Sequence, residues 1–157
     1  MDQFLPPVFP MQIARWIHLL GVVVWIGGMF FAHMALRPAA LALPPPQRLA
    51  LLAATLTNFL RWVALAIACI LLSGIALIVL LGGIRAVGPG IHAMTGLGLL
   101  MTLVYAWVVA VPFPRLRNAV AAGEWERAGA AMAQVRKLVA ANLVLGLATI
   151  TVAVLGR

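Results

Sequence analysis

The chain has 157 residues, of which 65% are hydrophobic and only 9% charged, with a mean hydropathy of +1.12. Soluble domains run near a quarter charged, so this composition excludes an ordinary water-soluble fold, and the length allows one domain. The net charge of +8 does not mark a nucleic-acid binder, because the basic residues are spread through connections with a sidedness rather than gathered into one patch.

Residues 1–10 lack the basic start of a secretory signal, and the apolar run that follows lacks a small-x-small exit, so that run is expected to stay in place as a first helix. It extends from Trp16 to Leu36 and holds no Lys, Arg, Asp or Glu; crossing a bilayer takes ~20 helical residues. Pro44, Pro45 and Pro46 stop the next segment, and from Gln47 the pattern runs as continuous helix into a second span, Trp62 to Leu81. The connection Gly82 to Gly90 is short and Gly-rich, which predicts a tight antiparallel pairing with a third span, Ile91 to Val111. After Pro112 and Pro114, Arg115 to Ala122 reads as a short helix broken by Gly123. Glu124 to Lys137 then leads into a fourth span, Leu138 to Gly156, with Glu124, Arg127 and Arg136 on a wet face.

These elements predict an all-α, integral membrane, up-down-up-down four-helix bundle, a single domain over residues 1–157. The first and third spans run parallel and are expected on a diagonal. Small residues permit close approach at Gly21, Gly27, Gly28, Ser73, Gly74, Gly96, Gly98 and Gly146. Trp16, Trp62 and Trp107 lie toward span ends, as interfacial anchors do. Asn142 is expected to bond across a helix contact, and Thr102, Tyr105, Thr149 and Thr151 to bond locally. A homo-oligomer is compatible with this pattern. Arg37, Arg48 and Arg61 flank the first connection, and Arg115, Arg117, Arg127, Arg136 and Lys137 the third; only Arg15, Arg85 and Arg157 fall on the other side. By the positive-inside rule this orientation puts the first and third connections in the cytoplasm and both termini in the periplasm of a bacterial inner membrane.

Ionisable groups inside a span are costly and point to function. His18 is expected in the first turn of the first span and His92 in the first turn of the third, at similar depth near the outer face. His33 lies fifteen residues after His18, ~22 Å along a helix, and belongs to the other end. Two imidazoles at one depth in a bundle suit a b-type heme with two axial ligands. Gly21 and Gly96 share faces with the two histidines and would leave room for a macrocycle, while Arg15 and Arg85 would meet its propionates. Such a cytochrome would act in electron transfer or redox chemistry with a small partner or quinone. The lone Cys69 rules out a disulfide framework, and no Cys-x-x-Cys-His motif for covalent heme occurs.

The alternative is copper, because thioether and imidazole suit Cu(I). Met11 and His18 are seven apart, His92 and Met94 form a His-x-Met pair, and Met29 stands four before His33, followed by Met34. A third reading gives the histidines a purely structural role in a scaffold subunit.

The run Arg15-Trp-Ile-His18-Leu-Leu-Gly21-Val-Val-Val-Trp25-Ile-Gly27-Gly28 resembles the first helix of the CopD copper-resistance membrane domain. Arg61 to Gly74 resembles its following helix, and Ala121-Ala-Gly123 to Arg136-Lys137 with Asn142-Leu-Val-Leu-Gly146 its last part. This resemblance implies a multi-pass membrane protein concerned with copper uptake or resistance. The pattern is also similar to the HemJ-type protoporphyrinogen oxidases, four-helix membrane proteins associated with heme, through His18 and a His-x-Lys in the third helix. Here that motif is His92-Ala-Met94. The resemblance therefore implies the histidine pair, while the missing lysine counts against protoporphyrinogen oxidation.

Overall fold

A computed structural model describes residues 8–155. The N-terminal reading over residues 1–7, the outer charge Arg157 and Gly156, the end of the fourth predicted span, lie outside the described residues. Four helices long and apolar enough to cross a membrane account for nearly all the rest, and no strand occurs among the described residues. The protein is an all-α membrane four-helix bundle.

Helix α1 (Val8–Ala40) starts more than two turns before Trp16, so His18 is not in its first turn. Two π-helical turns widen it, at Val23–Gly27 and at Ala32–Leu36. The first spans the β-branched Val23 and Val24 and reaches Gly27, where helix propensity is poor. The second precedes Pro38, whose ring would strike the Met34 carbonyl in a regular helix. Helix α2 (Pro45–Leu80) is continuous for 36 residues, or ~54 Å, against a hydrocarbon core of ~30 Å. Helix α3 (Pro89–Ala110) ends at Val111, whose φ of −120° and ψ of −73° break the helix before Pro112. The short amphipathic α4 (Pro112–Ala121) stops at Gly123, with φ +71°. Helix α5 (Trp125–Leu155) completes the bundle.

The excess length of α2 and α5 forms a stump at the Arg-rich end with its own core: Leu49 and Ala53 of α2, Leu116 and Ala119 of α4, Ala128 and Ala131 of α5. Arg127 pairs with Glu124 at 2.9 Å on its surface. The spanning core is separate and joins Trp25, Ile26 and Met29 of α1 to Val63, Ala66 and Ile67 of α2, Met101 of α3 and Leu143 of α5.

The close pairs are α1 with α2 and α3 with α5, and α5 also touches α1 and α2. The predicted tight pairing of the second and third spans is therefore corrected. Close backbone approach goes where a side chain is missing. A Cβ on Gly21 would lie 2.7 Å from Ile70 Cγ1 of α2, and one on Gly146 would lie 2.9 Å from Ile26 of α1 and 3.1 Å from Met101 of α3. Between α2 and α3 the reach is by side chains, as where the Tyr105 hydroxyl donates to the Leu60 carbonyl at 3.0 Å. Trp16, Trp62 and Trp107 all face outward, as an interfacial or lipid-facing role requires. Thr102, Thr149 and Thr151 each donate to the carbonyl four residues earlier.

Candidate functional site

Along α1, Ala14, Gly21, Trp25 and Met29 are buried, and Met11 and His18 are half-buried on the same stripe. This stripe faces α2. His18 Nδ1 lies 3.1 Å from the Ile70 carbonyl oxygen and 3.1 Å from Ser73 Oγ. A carbonyl can only accept, so Nδ1 carries the hydrogen. Ser73 spends its own hydrogen on the backbone, on the carbonyl of Cys69 or Ile70, and presents lone pairs to the imidazole. The neutral ring is thereby fixed with its lone pair on Nε2. Metal-bound histidines have this arrangement: the far nitrogen ligates while the near N–H is held by a carbonyl. By sequence Ser73 stands out only as a small residue. A hydroxyl in an apolar span is the signal that could have marked it as a partner.

His92 is placed differently. It is exposed, and its Nδ1 lies 3.1 Å from the carbonyl of Gly88 in its own first turn. It shares an exposed stripe of α3 with Gly96, Leu99 and Leu103, while the inward stripe carries Met94, Met101, Tyr105 and Val108. The depths differ as well. Ser73, level with His18, stands seven residues before the end of α2 at Leu80, and His92 three residues after the start of α3 at Pro89, or ~10 Å against ~5 Å. The two imidazoles do not converge.

The residues fit a heme poorly. The room expected beside Gly21 is filled by Ile70, and Gly96 has no neighbour within 4 Å that could wall a macrocycle. Arg15 and Arg85 are exposed at the same end of the bundle, with no acidic partner among the described residues.

The other sulfur and imidazole groups follow α1 downward. Met29, 2% exposed, is buried, and His33 is half-buried within the second π turn. Met34 points outward. Between the four helices Trp25, Met29, Tyr105, Val139 and Asn142 line a cavity of about 20 Å³, room for about one water. Asn142 is 3% exposed and its Oδ1 is buried without a hydrogen-bond partner. The expected bond across a helix contact is not made by this oxygen, since no donor among the described residues reaches it. Among the described residues no cluster of three or more His, Cys, Asp or Glu could hold a metal.

Neither the curated proteins nor the solved structures contain a match to the chain. The family model described as "Copper resistance protein D" matches residues 53–155, from the first turns of α2 through the end of α5. With about two-thirds of its length matched, the chain belongs to the CopD copper-resistance family of multi-pass membrane proteins.

Proposed function

We propose that this protein conducts copper through the bacterial inner membrane as Cu(I), and that His18 is its outer ligand. The observation that supports this most is the pair of bonds from His18 Nδ1 to Ile70 and Ser73, which leaves Nε2 as a lone pair for a soft ion. Met11 lies two turns outward on the same stripe, ~10 Å away, and acts as a preceding thioether station. Cys69, one turn from Ser73 on α2, is a free half-buried thiol at the level of His18. The Arg-rich stump faces the cytoplasm, so the ion would move from the periplasm toward His33. Membership in a copper-resistance family supports copper over heme, and the diverging histidines remove the geometric reason for a bis-histidine cytochrome.

The test is Cu(I) loading of the full chain in detergent, under reducing conditions with a competing chelator, together with uptake into vesicles that carry the protein. Wild type should load and accumulate copper. His18→Ala should lose affinity by about tenfold or more, equivalent to ~1.4 kcal/mol. Equal loading by His18→Ala and wild type, or none by wild type, would sink the proposal.

A further inference from the structure

The seam between α1 and α5 at the Arg-rich end carries positive charge that no acid among the described residues answers. The two helices meet over Gly28–Phe31 of α1. Just beyond that contact stand His33 and Arg37 of α1 and Arg136 of α5. His33 and Arg136 are half-buried, and Arg37 is exposed. Both guanidinium groups lie near enough to the His33 ring for their charges to act on it. Cα–Cβ bonds tilt toward a helix N-terminus. The two helices run in opposite directions, so Arg37 leans back toward the bilayer and Arg136 leans away from it, onto one level. The acids among the described residues are Glu124 and Glu126. Glu124 pairs with Arg127, and Glu126 stands ten residues before Arg136, ~15 Å along α5. A charge withdrawn from water needs a partner, and here two like charges converge. Topology alone asks only for exposed charges in the connections; a half-buried arginine set against a second helix goes beyond that.

From this we propose that Arg37 and Arg136 bind the phosphate of an anionic phospholipid in the leaflet at this end of the bundle. The level fits a headgroup. Met29, Leu60 and Val139 line one cavity and so share a depth. Leu60 stands two residues from Trp62, which faces outward and marks the apolar boundary. His33 follows Met29, and Arg136 precedes Val139, by one further turn, ~5 Å, which places the cluster among the headgroups. The chemistry fits as well. A lipid phosphodiester has a single negative charge and two free oxygens, and guanidinium forks donate to such oxygens in pairs. Basic seams between spanning helices take headgroups in this way. On the copper reading such a lipid has a use, because a cation leaving at His33 would meet two fixed positive charges, and a bound phosphate offsets part of that field. The binding itself does not rest on copper.

Thermal unfolding and native mass spectrometry of the full-length protein in a neutral detergent read the site, with phosphatidylglycerol, phosphatidylcholine and inorganic phosphate as probes. Phosphatidylglycerol should raise the unfolding temperature and stay bound; the other two should do neither. Arg37→Gln and Arg136→Gln should each weaken phosphatidylglycerol binding about tenfold, as the loss of one charged hydrogen bond implies. Arg136→Lys, which keeps the charge without the fork, should fall between. Arg61→Gln, exposed on α2, should bind as wild type does. Arg37 is exposed, so its glutamine variant should unfold at the wild-type temperature when no lipid is added, which separates a lost site from a lost fold. Equal binding by wild type and both glutamine variants would overturn the proposal, as would phosphatidylcholine binding as tightly as phosphatidylglycerol. Stabilisation by inorganic phosphate alone would make this a site for a soluble anion and sink the lipid. None of these outcomes involves copper, so the His18 reading stands or falls apart from them.

Discussion

His18 is bonded to the backbone of Ile70 at the α1–α2 interface, and the side chain of Ile70 packs on Gly21 beside it. The imidazole N–H meets the Ile70 carbonyl at 3.1 Å, and the Ile70 side chain fills the space that Gly21 leaves one turn further along α1. The ligand candidate and the close helix contact are one feature: the backbone approach at Gly21 is what brings the carbonyl within reach of the ring.

Gly21→Ala should therefore disturb both. Its Cβ would stand 2.7 Å from Ile70 Cγ1 and 3.0 Å from the Ala66 carbonyl oxygen, too close for either without a shift of α2. Overpacking of this kind costs about 1–3 kcal/mol. Thermal unfolding in detergent should show the loss, and Cu(I) affinity should fall with it as the carbonyl moves away from His18. An unfolding temperature equal to wild type would mean that the two helices do not meet here.

Asn142→Leu should leave the metal-free protein at least as stable as wild type, and up to about 1–3 kcal/mol more so, since it removes a buried acceptor without a partner. Asn142→Asp should do the reverse, because it places a carboxylate where no cation or donor answers it. Denaturation of the two variants side by side reads the difference. A clear loss of stability in the leucine variant would show that the amide is already bonded.

His92→Ala should change stability by no more than about 0.5 kcal/mol, as expected of an exposed side chain. Copper loading and uptake should match wild type, because the ring bonds only its own first turn. A loss equal to that of His18→Ala would bring His92 back into the site.

Orientation rests on the Arg and Lys bias. A reporter active only in the periplasm, fused after Arg157, should give signal, and one placed in the loop at Gly123 should not. The opposite pattern would invert the direction of copper movement.

Sequence by itself determined the four spans, the continuous helix into the second span, the break at Gly123 and the likeness to CopD. It could do so because each follows from a local rule: helix length against bilayer thickness, proline and glycine as breakers, and apolar composition. The presence of His18, Met29 and Asn142 inside apolar runs was equally legible.

Tertiary structure decided which way each of them faces. On an unbroken helix with apolar residues all round, as in α3, periodicity does not distinguish the lipid face from the bundle face, so His92 and His18 looked alike. Packing separated them, turning His92 outward beside Gly96 and His18 inward onto Ile70 and Ser73. The same holds for the glycines. A missing side chain permits close approach, but only the partner helix decides whether the space is filled, as Ile70 fills it at Gly21 and nothing does at Gly96. Trp25 and Met29 of α1 and the distant Asn142 of α5 meet at one cavity. That meeting depends on contacts between residues more than a hundred positions apart, and no local pattern in the chain carries it.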